Sequence, residues 1–173
     1  MSRETDRREL FEQCIEKCAD SMYRVAFRLT GNHTLARELV QETSLAAWKS
    51  IEKLRDPNRM RAWMFAILRN QYTKLISKES KSPAPVETFD DLTSPQTNNP
   101  NEIQDAVQNA IEQLDEKHRL PLLLVSMEGL SVDEAANVLD IPRGTVLSRL
   151  SRSRDKLKAI LIRSNVELLK HNE

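Results

Sequence analysis

Residues 130–146 read LSVDEAANVLDIPRGTV, and this stretch decides the fold of the C-terminal part of the chain. Ser131 and Glu134 have the spacing of a capping box, which starts a helix by satisfying its first free N–H groups. The small pair at 135–136 lets a second helix cross closely, and Ile141 can fill the space between the two helices. The stretch therefore predicts two short helices joined by a turn, the layout of a helix-turn-helix.

The second helix of this motif has an apolar face and a polar, basic face. The predicted inward residues are Val146, Leu150, Leu157 and Leu161, and the predicted outward ones are Thr145, Ser148 and Arg152, with Arg149 and Lys156 beside them. Serine, threonine and arginine side chains on one exposed face are suited to DNA bases and phosphates. The pattern favours DNA reading, and a purely structural helix pair is the alternative.

The rest of the chain shows helical periodicity and no convincing strand. An apolar stripe from Phe11 to Leu29 predicts a long helix that Gly31 ends. The further predicted helices span about Thr34–Trp48 with Leu35, Leu39, Leu45 and Trp48 inward, Arg59–Ser77 with Trp63, Phe65, Ile67 and Leu68 buried, 103–114, Leu120–Met127, and Ile141 toward Leu169. Pro121 is expected in the first turn of its helix, where its missing N–H is not needed.

A proline-rich stretch divides the chain into two parts. Four of the seven prolines fall within residues 82–100, and no helical period runs through them. We therefore predict an all-α protein of two small helical domains, 1–81 and 103–173, joined by a flexible acidic linker over 82–102. The C-terminal domain is the helix-turn-helix.

The charge of the chain is unevenly distributed. The 26 basic and 26 acidic residues cancel over all 173 positions, which by itself would argue against a nucleic-acid partner. By segment, however, residues 49–81 include nine basic and three acidic residues. Residues 82–116 include no basic and eight acidic residues, and residues 143–163 include seven basic residues and one acidic residue. Two basic blocks on separate domains indicate two contacts to one polyanion, and solvated helix faces are the alternative.

Several protein classes are excluded or disfavoured. No run of eighteen apolar residues exists, so no membrane span is predicted. The charged stretch 1–16 predicts no secretory signal, and two cysteines indicate a reducing cytoplasm rather than a disulfide scaffold. Cys14 and Cys18 lie on the apolar stripe, and His33 and His118 do not complete a ligand set, so core packing is favoured over a metal site. We expect no metal, no cofactor and no enzymatic activity.

Two sets of motifs resemble one protein family. Ile111-x-x-Leu114 followed by LSVDEAANVLDIPRGTVLSRLSRSRDKL resembles region 4, the promoter-reading domain, of bacterial sigma factors, especially the extracytoplasmic-function (ECF) group. RxxFRLTG at 24–31, ARELVQET at 36–43 and RAWMxxIxxN at 61–70 resemble region 2 of the same family, in the same order. The resemblance covers about residues 8–163.

The resemblance implies a factor that binds core RNA polymerase and directs it to specific promoters. Core binding would use the clamp helices of the largest subunit and the flap, and the implied residues for the clamp helices are Glu38, Leu39, Gln41 and Glu42. The implied minus-ten residues, which include the loop that captures a flipped base, are Lys49, Lys53, Arg55, Asn58, Arg59, Arg61, Trp63, Asn70 and Lys74. Taken alone, Trp63 also fits a core residue.

The implied contacts with the minus-thirty-five element lie on the last helix. Thr145, Ser148, Ser151 and Arg152 would enter the major groove, and Arg143, Arg149 and Arg154 would hold phosphates. Leu147 stands where the family commonly has Lys or Arg, and Ser151 stands where it commonly has His or an aromatic residue. Both departures imply an altered sequence preference. An anti-sigma partner is possible. The alternatives are a stand-alone helix-turn-helix regulator that binds DNA without polymerase, and a protein that occupies polymerase without reading DNA.

Overall fold

The computed structural model describes residues 3–79 and 101–170, with side chains described over 7–78 and 104–163. Every regular element in these ranges is helical. The elements are α1 (Arg3–Thr30), α2 (His33–Ser50), two 3-10 turns (Ile51–Lys53 and Pro57–Arg59), α3 (Met60–Glu79), α4 (Asn101–Glu112), α5 (Glu116–Leu122), a π-helical turn (Leu123–Met127), α6 (Val132–Leu139) and α7 (Arg143–Lys170). The predicted all-α fold in two helical parts, with a helix-turn-helix, is confirmed. Most of the predicted linker lies outside the described residues, and the domain boundaries stay a prediction.

The N-terminal lobe, α1 to α3, is built on the predicted apolar stripe of α1. Met22, Val25 and Leu29 of α1 are buried in the same apolar core as Phe65 and Leu68 of α3. The backbone of Gly31 has a φ of 63°, and its N–H donates to the Phe27 carbonyl at 2.8 Å. Because L-residues adopt this left-handed conformation only at a cost, glycine is the residue that ends α1 here, as predicted.

The inward face of α2 differs from the prediction at one residue. Small side chains, Ala36, Thr43 and Ala47, are buried together with Leu39, whereas Leu45 is 47% exposed. The prediction that Leu45 points inward is wrong. Small residues let α2 approach α1 closely, and they set an inward face at steps of three and four that leaves Leu45 on the other side of the helix.

The C-terminal lobe, α4 to α7, contains the predicted helix-turn-helix. The Glu134 N–H donates to Ser131 Oγ at 3.2 Å, and the Ser131 N–H donates to Glu134 Oε2 at 2.8 Å, so the capping box is confirmed. Asp140 ends α6 in the left-handed conformation, with a φ of 53°. Ala135 and Val146 are completely buried where α6 and α7 meet. The sequence placed this element correctly because its signals are local.

Pro121 does not lie where the sequence predicted. Helix α5 begins at Glu116, so Pro121 lies beyond its first turn, and that prediction is wrong. A proline there removes one helix hydrogen bond. The chain continues from α5 into the wider π-helical turn, whose end has the Glu128 N–H bonded to the Leu123 carbonyl at 3.0 Å. The π turn thereby fixes the position at which Glu128 leaves the helix.

The two lobes pack against each other, which the sequence did not predict. Buried residues of both belong to one continuous apolar core, with α3 lying against α6. Near the end of α1, Arg28 Nη1 donates to Gln108 Oε1 at 2.8 Å, and Arg119 Nη1 donates to the Leu29 carbonyl at 2.9 Å. The contact between lobes therefore combines apolar packing with hydrogen bonds to the end of α1.

Candidate polymerase and nucleic-acid interfaces

The outer face of α2 has the residues predicted to bind polymerase. Glu38, Gln41 and Glu42 are exposed, whereas Leu39 is 3% exposed and belongs to the core. Leu39 supports this face from behind and has almost no surface to offer a partner. Leu45 follows Glu38, Gln41 and Glu42 by seven, four and three residues, and this spacing puts it on the same face of the helix. Sequence reasoning missed Leu45 because a leucine at helical spacing ordinarily indicates core.

The segment between α2 and α3 holds four of the predicted minus-ten residues at the surface. Lys53, Arg55, Asn58 and Arg59 are all exposed. The buried Ile51 anchors one end of the segment. At the other end, Asp56 Oδ1 accepts the Asn58 N–H at 2.9 Å and caps the turn that leads into α3. Local hydrogen bonds thus keep this basic segment exposed to solvent.

A cleft of about 720 Å³ lies between this segment, the start of α3 and helix α6. Its basic side includes Lys53, Arg55 and Arg59, and half-buried Trp63 of α3 also lines it. The α6 side contributes polar and acidic residues, Ser131, Asp133, Glu134 and Asn137. An aromatic ring beside three cations is the combination that stacks a base and holds its phosphates.

The remaining predicted minus-ten residues are spread over α2 and α3. Lys49 is exposed near the end of α2. Asn70 and Lys74 are exposed and follow Trp63 by seven and eleven residues, so helix periodicity puts them on its side of α3. Arg61 lies on the opposite side of that helix, where its Nη2 is 2.8 Å from Glu128 Oε2. The structure therefore gathers most of the set around Trp63 and separates Arg61 from it.

The predicted groove-reading face of α7 is open to solvent. Ser148, Ser151 and Arg152 are exposed, and Thr145 is half-buried at the start of the helix. Leu147, the departure from the family pattern, is 44% exposed beside them. Val146 and Leu150 are buried behind this face, so the predicted division of the helix agrees with the described side chains.

Two of the three predicted phosphate contacts of this lobe have local partners. Arg143 Nε lies 3.1 Å from Asp133 Oδ1, and Arg154 Nη2 lies 3.4 Å from Ser126 Oγ. Arg149 is half-buried. These exposed contacts are weak and exchange readily, so they orient the arginines without preventing a phosphate from binding.

The cysteines have the chemistry of core residues. Burial raises the pKa of Cys14 to about 11 and raises the pKa of Cys18 as well. Both thiols are therefore protonated at neutral pH and are poor nucleophiles and ligands. Within 7–78 and 104–163, no group of three metal-ligating residues occurs. In the part of the chain that the structure describes, no helix is long and apolar enough to cross a membrane.

Comparison with known proteins agrees with this geometry. The family descriptions "Sigma-70 region 2" and "Sigma-70, region 4" match residues 14–82 and 104–157, which together are more than half of the chain. An ECF RNA polymerase sigma factor is also 33% identical over 82% of this chain. The chain belongs to the ECF RNA polymerase sigma factors. Factors of this family direct RNA polymerase to promoters and are not enzymes. The first match falls on the N-terminal lobe and the second on the C-terminal lobe described above.

Individual ECF sigma factors align with most of the chain. SigL of Mycobacterium tuberculosis is 33% identical over 150 residues, which cover 82% of each protein. EcfG of Rhodopseudomonas palustris is 30% identical over 143 residues, covering 82% of this chain and 79% of EcfG. SigE of Mycolicibacterium smegmatis is 27% identical over 164 residues, but the alignment spans only 63% of the length of SigE.

Solved structures show the same fold. The sigma factor RpoE in complex with the anti-sigma factor NepR from Bartonella quintana has a TM-score of 0.73 and 27% identity, covering 87% of this chain and 96% of RpoE. CnrH in complex with the cytosolic domain of CnrY has a TM-score of 0.66 and 26% identity, covering 87% of this chain and 86% of CnrH.

Proposed function

We propose that this sigma factor binds core RNA polymerase through the outer face of α2 and reads promoter DNA through two surfaces, one in each lobe. The observation that carries the proposal is the exposed basic segment beside Trp63, which lies in the lobe that matches region 2. This role requires access to the chromosome and hence a cytoplasmic location. Both family matches favour it over a stand-alone helix-turn-helix regulator.

The polymerase contact combines charge with an apolar anchor. Glu38 and Glu42 offer carboxylates to the basic clamp helices of the largest subunit, and Gln41 adds a hydrogen-bonding amide. Leu45 supplies exposed apolar area on the same face, which is the kind of side chain that becomes an anchor when a partner covers it. The flap is the proposed contact of the C-terminal lobe.

A pull-down with core polymerase tests this face. We expect the double variant Glu38→Lys with Gln41→Ala to bind core more weakly, because it reverses one charge and removes one amide. The matched control is Glu16→Lys with Gln13→Ala, which makes the same changes at exposed positions of α1. Full core binding by the first variant would contradict the assignment of α2.

The minus-ten contact uses the side of the cleft that the N-terminal lobe supplies. A base that leaves the duplex loses stacking worth a few kcal/mol, which pocket contacts must offset. Trp63 offers a stacking surface, and Lys53, Arg55 and Arg59 offer charge to the backbone. Asn70 and Lys74 extend the contact along α3, since they lie on the side of Trp63. Lys49 and Asn58 border the same region, and Arg61 joins it only when Glu128 releases it.

The minus-thirty-five contact uses the exposed face of α7. Arg152 is suited to a guanine edge in the major groove, while Thr145, Ser148 and Ser151 provide shorter polar contacts. The exposed Leu147 side chain fits a thymine methyl group better than a phosphate, and this difference would alter the preferred sequence. Arg143, Arg149 and Arg154 bind phosphates on either side.

Run-off transcription with core polymerase and genomic DNA tests the promoter contacts. Mapped start sites define the promoters, and Arg152→Ala is then expected to lose about 1–3 kcal/mol of specific binding. Arg163→Ala, an exposed arginine later on the same helix, is the control and should keep promoter selection. Unchanged promoter-specific transcription by Arg152→Ala would remove this face from the proposal.

An anti-sigma partner is a further part of the proposal. Its support is the likeness of both lobes to RpoE, which was solved with the anti-sigma factor NepR. We expect the tagged chain, purified from its own cells, to carry a protein that blocks run-off transcription when added back. Recovery of the chain with core polymerase alone, under growth conditions in which its promoters are silent, would contradict this.

A further inference from the structure

Glu128 is a buried carboxylate of the C-terminal lobe whose partners come from the other lobe. Its side chain is 1% exposed. Arg61 Nη2 lies 2.8 Å from Oε2, and Arg24 approaches both oxygens at 3.3 and 3.4 Å. A buried charge is stable only when it is paired and hydrogen-bonded. Glu128 is thus stabilised by arginines that are available to it only while the lobes are in contact.

The backbone of the C-terminal lobe holds Glu128 in this position. The π-helical turn ends with the Glu128 N–H bonded to the Leu123 carbonyl at 3.0 Å, and Gly129 follows with a φ of 69°. On the opposite side, Arg24 Nη2 also donates to Ser21 Oγ at 2.9 Å, which orients its guanidinium. Hydrogen bonds within each lobe thus help to orient Arg24 and Glu128 toward each other.

Other acidic groups of the C-terminal lobe face the same basic surface. Glu134 and Asp133 line the cleft opposite Arg59 and Trp63. The pKa of Glu134 is lowered, first by its hydrogen bonds from Ser131 and further by the charges of Arg61 and Arg59. In the closed arrangement, carboxylates thus occupy the space where phosphates would approach the proposed minus-ten residues.

The closed arrangement cannot place both lobes on a promoter. The names of the minus-ten and minus-thirty-five elements place them more than 20 base pairs apart. Twenty base pairs span about 70 Å at 3.4 Å per base pair. A compact chain of this length has a radius of gyration of about 16 Å and hence a diameter of about 40 Å. The lobes must therefore separate before α7 and the basic side of the cleft, with Trp63, can contact their elements together.

We propose that Glu128 is an internal substitute for a DNA phosphate, which holds the free chain closed by occupying Arg61 and Arg24. Arg61 and the basic side of the cleft become available to DNA when this ion pair opens. The assignment of Arg61 to DNA rests on the proposed function, whereas the closure itself rests only on the contacts between the lobes.

Small-angle X-ray scattering of the full chain tests the closure. We expect the wild-type radius of gyration to be that of a compact chain and to rise by several ångströms in Glu128→Gln and in Arg24→Glu. Arg24→Lys keeps the charge and should stay compact. Arg8→Glu, the same charge reversal at an exposed position of α1, is the control. Unchanged radii in both test variants, with helix content retained by circular dichroism, would overturn the proposal.

Binding of the free chain to a fluorescein-labelled, mixed-sequence single-stranded oligonucleotide tests the inhibition. We expect Glu128→Gln to bind about fivefold more tightly or better than wild type, in the range of coupling between linked sites. Glu16→Gln removes one negative charge elsewhere and should bind as wild type does. An expanded Glu128→Gln without tighter binding would overturn the inhibitory role. The run-off result for Arg152→Ala decides the proposed function separately.

Discussion

At the scale of single residues, His118 is a buried titratable group of the C-terminal lobe. Its side chain is 6% exposed, and its Nδ1 lies 3.3 Å from Asp115 Oδ2, which also binds Lys156 Nζ at 3.1 Å. Burial lowers the pKa of His118 and nearby Lys156 lowers it further, whereas Asp115 raises it by a smaller amount. The folded chain therefore holds this imidazole neutral at a pH where the unfolded chain protonates it.

We predict that acid weakens the fold through His118. Because its folded pKa lies below the unfolded value of about 6.5, the unfolded state binds more protons in this range. The stability that neutral His118 contributes is complete above that pH and is lost as the pH falls through the folded pKa. The measurement is the thermal unfolding midpoint between pH 7.5 and 5, where His118→Gln should lose less than wild type.

His33 provides the control for this experiment, since it is exposed. His33→Gln makes the same substitution at this exposed position, and a smaller loss found only in His118→Gln identifies the interior imidazole as the cause. Asp115 does not confuse the result, because its pKa is lowered, first by its hydrogen bond with Lys156, so the carboxylate stays ionised over this pH range. Equal pH dependence in His118→Gln and wild type would show that another group is responsible.

Single residues also show what a sequence pattern can and cannot predict. Leu39 and Leu45 have the same side chain and both fit a three-to-four period, yet one is buried and the other is 47% exposed. The difference arises from Ala36, Thr43 and Ala47, which pack against α1 and define the inward face. Which face a helix buries depends on its neighbour, and periodicity alone does not contain that information.

At the scale of elements, two glycines with open space around them are expected to respond oppositely to the same substitution. Gly129 has a φ of 69°, and Gly144 lies in the first turn of α7; a Cβ added at either position meets no atom within 4 Å. Gly129→Ala should therefore lose about 1 kcal/mol of unfolding free energy through backbone strain alone. Gly144→Ala should gain about 0.5–1 kcal/mol, because alanine favours the helix.

Urea unfolding of the two variants checks this pair. The Gly129→Ala midpoint should fall and the Gly144→Ala midpoint should rise, with slopes equal to that of wild type. Each variant is the steric control for the other, since both add one methyl group to free space. A midpoint that moves in the same direction for both would contradict the account based on backbone conformation.

The elements also differ in how well they could be predicted from their sequences. The capping box at Ser131 and Glu134 was predictable because both its hydrogen bonds lie within four residues. The start of α5 was not, since Pro121 suggested a first turn while the helix begins at Glu116. The π-helical turn that follows has no sequence signature of its own, and it determines where Glu128 points. Local capping could be predicted from the sequence, whereas the register of a buried helix could not.

At the scale of the whole molecule, Arg119 joins the ends of two helices, one in each lobe. Its Nη1 donates to the Leu29 carbonyl at the end of α1, and its Nη2 donates to the Glu112 and Leu114 carbonyls at the end of α4. Carbonyls at the ends of helices lack helical donors, and a cation is favoured there. The guanidinium thus satisfies groups in both lobes at once.

We predict that Arg119→Ala destabilises the chain by about 2 kcal/mol or more, because charged hydrogen bonds each contribute about 1.5–3 kcal/mol. The check is the free energy of unfolding from urea titration. Arg163→Ala, an exposed arginine of α7, should change it by less than about 0.5 kcal/mol. Equal values for the two variants would mean that Arg119 does not join the lobes in solution.

The sequence predicted two lobes and missed their contact. Region 2 and region 4 motifs are local patterns, and they were sufficient to place Lys53, Trp63 and Arg152 on their elements. Arg24 and Glu128 are separated by 104 residues and resemble any surface ion on their own. Their pairing depends on how the π-helical turn of the C-terminal lobe lies against α1, which is a property of the assembled core.

The burial of Glu128 also gives ionic strength an unequal effect on the two forms of the chain. Contacts with phosphates release counterions, so binding to DNA weakens steeply as salt is added. An ion pair whose carboxylate is 1% exposed is screened far less. In the absence of polymerase, rising salt should therefore shift the chain from the DNA-bound form toward the closed, unbound form. In a cell, the same asymmetry would make osmotic change act on promoter binding without any change in the protein itself.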